Sequence, residues 1–287
     1  MILTGEKVGL VLEGGAMRGL FTAGVLDVLM QYSLYPDALI GVSAGAAFGC
    51  NMKSRQQGRV LRYNKRFCKD PRYCSWRSLL FTGDLFGADF CYRRLPEELD
   101  IFDKETFHSS PMDFYMVCTD TRSGEAVYKK CNTVDENTYN WMRASASMPL
   151  VSRPVNIDGR SYLDGAISDA IPLKFFESAN YRKNIVVLTQ EAAYRKKPQK
   201  GMFLIRKFLH KYPAVIQKLQ MRHIAYNETL SYVEEQAQKG NVFLIRPDKE
   251  LPVDRICHDP DLLQAAYDAG KKKAEELLPS LKEFLRK

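Results

Sequence analysis

Residues 38–53 read Ala38-Leu-Ile-Gly41-Val-Ser43-Ala-Gly45-Ala-Ala-Phe-Gly-Cys-Asn-Met-Lys53 and decide the fold. Ala38 to Val42 is a short apolar run of strand length, and Ala44 to Lys53 is a run of small residues suited to a helix. Between them, Gly41-Val-Ser43-Ala-Gly45 fits G-x-S-x-G. At a strand-to-helix junction that spacing is a nucleophile elbow, a sharp turn that lifts the serine hydroxyl clear of the sheet. Gly41 and Gly45 are then required because side chains two residues either side would collide across the turn. A helix N-terminus at Ser43 also favours a developing negative charge. The plain structural alternative is a glycine-rich start of a helix with Ser43 as its cap.

Toward the N-terminus, Lys7-Val-Gly-Leu-Val-Leu12 predicts a first buried strand that stops at Glu13-Gly14-Gly15. Arg18 to Gln31, with Leu20, Val25, Leu26, Val28 and Leu29, predicts a helix. Strand, helix, strand, helix in this order argues for a parallel sheet in an α/β domain. The linking segment Glu13-Gly14-Gly15-Ala16-Met17-Arg18-Gly19 is neither a P-loop, which needs Gly-Lys-Ser/Thr at its end, nor a G-x-G-x-x-G dinucleotide fingerprint. Glycines that follow a strand and open a helix present backbone N–H groups to an anion. An oxyanion hole at Gly14, Gly15 and Ala16 is the functional reading and a tight turn the structural one. Arg18, in the first turn of the helix, reads first as a support for this loop and second as an attractor for an anionic head group.

Toward the C-terminus, Asp113 to Cys118 and Glu125 to Cys131 predict two strands joined by a turn at Thr121-Arg-Ser-Gly124. Tyr139 to Ser147 predicts a helix, and Asn184 to Leu188 and Asn241 to Ile245 predict further buried strands. Met202 onward is mainly helical, with a last helix capped at Asp259-Pro260. Arg59 to Arg94 is rich in Arg, Lys and aromatics with weak periodicity; it suits helix, but its elements are not placed. Ser161-Tyr-Leu-Asp164-Gly165-Ala166 puts a carboxylate at the end of a short apolar run, although Asp-Gly alone is a common turn.

Taken together, Gly-Gly-x-x-Arg-Gly, then Gly-x-Ser-x-Gly, then Asp164-Gly165-Ala resemble the patatin-like phospholipase family. Ala144-Ser-Ala-Ser-Met-Pro149 and Asp164-Gly-Ala-Ile-Ser-Asp-Ala-Ile-Pro172 extend the resemblance, which covers roughly residues 7–190. It implies an α/β fold with a mostly parallel sheet related to cytosolic phospholipase A2, flanked by helices. It also implies a Ser43–Asp164 dyad without histidine, acting on acyl lipids. The expected organisation is a catalytic core over 1–190 and a mainly helical extension over 191–287, with one strand near 241–246, packed on the same domain. Two positions depart from the family's pattern: Ala16 closes the glycine run, and Asp169 stands where Asn is frequent.

The seven cysteines are odd in number and scattered, and Cys68, Cys74 and His108 lack zinc-ligand spacing. Reduced thiols, no metal and no cofactor are expected. No signal peptide or membrane-span pattern is visible, so a cytoplasmic chain is expected. The formal charge of +8 concentrates between Glu191 and Glu228, where nine Lys/Arg and no acid occur. No nucleic-acid motif accompanies it. Met202 to Tyr212 reads as a cationic amphipathic helix, with Met202, Leu204, Ile205, Phe208, Leu209 and Tyr212 on one side, and Phe203 alone among the apolar residues on the charged side. It suits peripheral contact with an anionic membrane or packing on the core. Oligomeric state is not legible. Two rival functions remain: a Ser–Asp–His esterase using His210, His223 or His258, and a non-catalytic lipid-binding module of the same fold.

Overall fold

The computed structural model describes residues 6–286. In chain order the strands are β1 (Val8–Leu12), β2 (Ala38–Val42), β3 (Asp113–Asp120), β4 (Ala126–Lys130), β5 (Val155–Ile157), β6 (Arg160–Asp164), β7 (Lys183–Val187) and β8 (Val242–Ile245). They form one sheet in the order β5-β6-β3-β2-β1-β7-β8, with β4 also paired to β3. From β3 through β8 along that order the pairs are parallel; β4 and β6 run antiparallel to β3, and β5 to β6. The chain winds from β1 to β2 and β3 on one side, then returns to place β7 and β8 on the other. This reversal beside β1 is a topological switch point, the kind of place where α/β sheets bind ligands beyond their C-terminal strand ends.

Helices cover both faces, which is why all five residues of β1 are buried and why it reads as a continuous apolar run. One face carries α1 (Gly19–Gln31) and α2 (Ala44–Lys53), followed by α3 (Arg59–Phe67), α4 (Trp76–Thr82), α5 (Lys104–Ser109) and α6 (Glu136–Ser145). Then come α7 (Leu173–Ser178), α8 (Met202–Phe208), α9 (Pro213–Gln238) and α10 (Pro260–Phe284). Val11 on the opposite face of β1 packs in one cluster with Tyr226, Leu230 and Val233 of α9. No described helix is long and apolar enough to cross a membrane.

The unassigned region 59–94 resolves into α3, α4 and a π-helical segment over Phe90–Leu99. Its weak periodicity has a physical cause: Arg59 and Asn64 are buried while Trp76, Leu80 and Phe81 are exposed. The buried Arg59 guanidinium is neutralised by Asp100 at 3.1 Å. The strands β5 and β6 form a hairpin over Asp158-Gly159, both at positive φ (50° and 76°), the backbone of a two-residue primed turn. The expected face of the 202–212 helix needs correction. Ile205 and Leu209 are buried, but Leu204 and Phe208 join Phe203 in solvent. The helix ends at Phe208, so its inward stripe is one turn long; Met202 and Tyr212 pack at its margins, and Phe203, Leu204 and Phe208 are left exposed.

Helix α1 is buried along all but its last residue, and its closest partner is α10. The two backbones cross at a pair of glycines. A Cβ on Gly24 would lie 2.1 Å from Tyr267 O, and one on Gly270 would lie 1.9 Å from Phe21 O. Beside the crossing, Asp27 accepts hydrogen bonds from Tyr267 Oη (2.6 Å) and Gly58 N (2.9 Å), tying α1 to α10 and to the start of α3. Gly to Ala inside a helix ordinarily stabilises it. Here the sign reverses: Gly270→Ala is expected to cost about 1–3 kcal/mol, because the methyl forces two packed backbones apart. A urea midpoint lowered at unchanged m-value checks this, and an equal or higher midpoint would refute so tight a crossing.

Candidate active site

Ser43 joins β2 to α2 at φ 56° and ψ −121°, a conformation that a side-chain-bearing residue rarely adopts. Strain of this kind costs about 1–3 kcal/mol and persists only where the surroundings over-determine it. Three sets of contacts do so. The Ser43 N–H donates to Ser145 Oγ (3.0 Å), whose own hydroxyl donates to Val117 O (2.7 Å). The Ser43 carbonyl accepts from Ala46 N and Ala47 N, both at 3.0 Å. A Cβ at Gly41 would sit 2.4 Å from Ala46 N and one at Gly45 2.5 Å from Leu12 O, so neither glycine can be replaced without moving backbone.

The glycine loop after β1 lies directly against this turn. A Cβ on Gly14 would be 2.8 Å from Val42 O and 2.9 Å from Ser43 Cβ. Ala16 takes a left-handed φ of 48°. Among the described residues, the N–H groups of Gly14, Gly15 and Ala16 have no acceptor, so three consecutive donors remain open beside Ser43. The loop is pinned by the buried Glu13: its Oε2 accepts from Thr189 N (2.7 Å) and its Oε1 from Tyr226 Oη (2.6 Å).

Asp164 ends β6 and is 1% exposed. Its N–H donates to Ser147 O (2.9 Å), and its Oδ1 accepts from Ala166 N at 2.8 Å. Gly165 follows, with no room for a Cβ, which would fall 2.3 Å from Val117 O. Burial pushes the Asp164 carboxyl up from its ordinary 3.8 to about 6. Opposing that rise are the Ala166 N–H, a polar contact from the Ser43 side chain, and the charges of Arg222 and Arg255. The structure therefore brings together Ser43, Asp164 and the Gly14–Ala16 loop from separate parts of the sequence.

A cavity of about 150 Å³ opens at Ser43 and Ala16 and is otherwise walled largely by apolar side chains, including Phe48, Tyr63, Leu95 and Phe102. An apolar cavity of that size admits a benzene-sized group, and here it suits part of an acyl chain. Among the described residues, no histidine ring bonds Ser43 or Asp164. His210, His223 and His258 each face a backbone carbonyl through Nδ1, of Lys207, Gln220 and Cys68 respectively. Nor does any described group of three or more His, Cys, Asp or Glu suit a metal ion.

Sequence reasoning missed Ser145, which sits inside the quoted 144–149 block but shows its role only through contacts across the sheet. It also missed Arg222, whose Nε donates to Ala166 O two residues beyond Asp164. Asp169 accepts from Tyr128 Oη (2.8 Å) and Ile171 N (3.3 Å), so it braces β4 against the segment after Asp164. Arg18 presents a buried Nε with no hydrogen-bond partner among the described residues.

Residues 10–176 match the model of the family described as patatin-like phospholipase, and residues 212–286 match a domain of unknown function, DUF6363. The uncharacterized protein YjjU of Escherichia coli (strain K12) is 30% identical over 275 residues, 92% of this chain and 75% of that protein. Lysophospholipase NTE1 of Scheffersomyces stipitis is 26% identical over 97% of this chain, which spans only 18% of its length. The crystal structure of VipD from Legionella pneumophila superposes with a TM-score of 0.48 and 14% identity, over 97% of this chain and 68% of that one. With the family model covering more than half of its residues, the chain belongs to the patatin-like phospholipase family.

Proposed function

We propose that the chain is a serine-dependent acyl hydrolase that cleaves carboxylic esters of (lyso)phospholipids or related acyl lipids. The observation that carries this reading is the strained Ser43 held beside a buried Asp164 whose carboxyl is raised to about 6, at the opening of an apolar cavity. Ser43 Oγ attacks the ester carbonyl while Asp164 takes its proton. The tetrahedral oxyanion is held by the N–H groups of Gly14, Gly15 and Ala16, which have no acceptor among the described residues. Collapse expels the alcohol, which receives the proton from Asp164, and leaves an acyl-Ser43. Water, deprotonated by Asp164, then attacks that ester and releases the fatty acid. A carboxylate at 3.8 is a poor base toward a hydroxyl, and burial brings it closer to working pH.

Ser43→Ala and Asp164→Asn are each expected to remove turnover of a short-chain ester by on the order of 10³ or more while the circular dichroism spectrum is retained. Each His→Gln variant at 108, 210, 223 and 258 is expected to stay within about tenfold, since loss of a general base costs 10²–10⁴. Wild-type kcat/KM should rise with pH about an inflection near 6, as Asp164 ionises. A histidine variant as inactive as Ser43→Ala, yet folded, would replace the dyad by a triad.

The same group makes a separate stability prediction. The fold raises the Asp164 pKa, so between 3.8 and about 6 the native state binds more protons than the unfolded chain, and stability falls as pH rises through that window. Asp164→Asn removes the buried charge and is expected to melt above the wild type at pH 8. The difference should shrink below pH 6 and vanish near pH 4. A variant that melts lower at pH 8 would show that the carboxylate stabilises the fold.

We also propose that α8 touches anionic lipid surfaces. Phe203 and Phe208 are 79% and 67% exposed beside Arg206, Lys207 and Lys211. Ile205 and Leu209 anchor the helix in a cluster with Leu163 and Ile167, which flank Asp164. Each cation near such a surface contributes roughly 1 kcal/mol of attraction. Wild-type protein is expected to cosediment with anionic vesicles more than with neutral ones, and to lose that preference at high salt. Equal binding to both vesicle types would sink the idea.

A further inference from the structure

The cavity that opens at Ser43 runs between α2 and α6. Ala44, Ala47 and Cys50 lie along one side of α2 and line it, so it follows that helix for about 9 Å beyond the elbow. Thr138, Tyr139, Met142 and Arg143 of α6 line the facing side. Past Cys50 the far end is closed by Arg59, which is 3% exposed. Its guanidinium donates to Asn51 Oδ1 at 2.9 Å, pairs with Asp100 at 3.1 Å and lies 5.3 Å from the centre of the Phe102 ring. A buried cation held from so many directions leaves that end no freedom to retreat.

A volume of about 150 Å³ is small for an acyl chain. An apolar cavity of that size holds one benzene, so it accommodates about six carbons. More room lies close by. An open groove of about 1150 Å³ runs beside α4, past Phe81, Phe90 and Glu97. Asp84, Tyr92, Tyr139 and Arg143 line both the cavity and the groove, so these four side chains are the partition between them. Polar contacts hold the partition shut. Arg143 Nη2 donates to Asp84 Oδ2 at 2.8 Å, and Asp84 Oδ1 accepts from Arg153 N at 3.1 Å. Tyr139 Oη donates to Glu97 Oε1 at 2.9 Å. Asp84 is 3% exposed, so a hydrocarbon chain crossing here would part a buried carboxylate from its cation and offer nothing in exchange. Breaking a buried pair in that way is strongly unfavourable.

We propose that Asp84, Arg143 and Tyr139 set the acyl length: they confine the chain to about six carbons, make esters of short acyl chains the preferred substrates and keep longer chains out of the groove. This rests on the acyl-hydrolase reading of Ser43 and Asp164 and names the acyl class that the site takes.

The test compares kcat/KM for p-nitrophenyl acetate, hexanoate and decanoate, each below its micelle concentration. In the wild type kcat/KM is expected to rise from acetate to hexanoate by up to about fourfold per methylene buried. Decanoate is expected to fall at least about tenfold below hexanoate, since methylenes that do not fit are rejected on that scale. Tyr139→Ala, and separately Asp84→Asn combined with Arg143→Ala, should raise the decanoate-to-hexanoate ratio about tenfold or more. Tyr139→Ala leaves the ion pair in place, so one wall variant remains if the other does not fold. Cys50→Leu fills the cavity from the α2 side and should lower the hexanoate-to-acetate ratio. Lys272→Gln on exposed α10 should leave all ratios unchanged. A wild type that turns over decanoate as well as hexanoate, or folded wall variants with an unmoved ratio, overturns the proposal. Calorimetric binding of the two free acids asks the same question without turnover. Wild-type protein should bind hexanoate more tightly than decanoate, against the trend of hydrophobicity, and Tyr139→Ala should reverse the order. If no ester is hydrolysed the acyl-hydrolase reading falls, and the order of binding alone then upholds or overturns the length limit.

Discussion

The backbone of Ser43 cannot hold its conformation alone. At φ 56° and ψ −121° it would relax in a free chain, and the surrounding structure is arranged to prevent that. Gly41 and Gly45 let the ends of β2 and α2 close on one another, and Gly45 also sits under the carbonyl of Leu12 at the end of β1. Ser145 reaches from α6 to accept from the Ser43 N–H, and is itself held by Val117 of β3. The parallel register of β1, β2 and β3 thus bears directly on Ser43, because each of those strands supplies a backbone atom to its cradle.

The second constraint is electrostatic. A buried carboxylate is costly, and Asp164 has neither a full ion pair nor open water to compensate it. It keeps one firm backbone donor from Ala166 and a more distant field from Arg222 and Arg255. A tighter ion pair would hold its proton affinity low. Glu13 occupies the contrasting position. Surrounded by Thr189 and Tyr226 donors, it serves the shape of the loop. Two buried carboxylates separated by one glycine loop are therefore placed in quite different surroundings.

Legibility in the sequence followed the range of the interactions involved. The strand, glycine loop, helix, strand and elbow of residues 8–53 are written in consecutive residues, so their elements were readable within a residue or two. Strands β3, β4, β7 and β8 were readable because apolar β-rich runs bounded by turns need no distant partner to be recognised. Residues 59–94 were hard to place because their burial inverts polarity, with Arg59 inside and Trp76 outside. The outward stripe of α8 was misjudged because periodicity assigns faces but not how far a neighbouring helix extends to cover them. Ser145 and Arg222 escaped notice for a simpler reason: their meaning lies in contacts 102 and 56 residues away in sequence.

The crossing of α1 on α10 carries a consequence for how the chain is made. Helix α1 begins at Gly19, and the surface that covers it is supplied by residues 260–284. Until those residues leave the ribosome, a largely apolar helix lacks its most extensive partner. Such long-range closure raises contact order and slows folding. The half-made chain therefore depends on chaperone cover or on provisional contacts. Nor can Ser43, the glycine loop and Asp164 come together early, because their contacts reach from Leu12 to Tyr226 of α9.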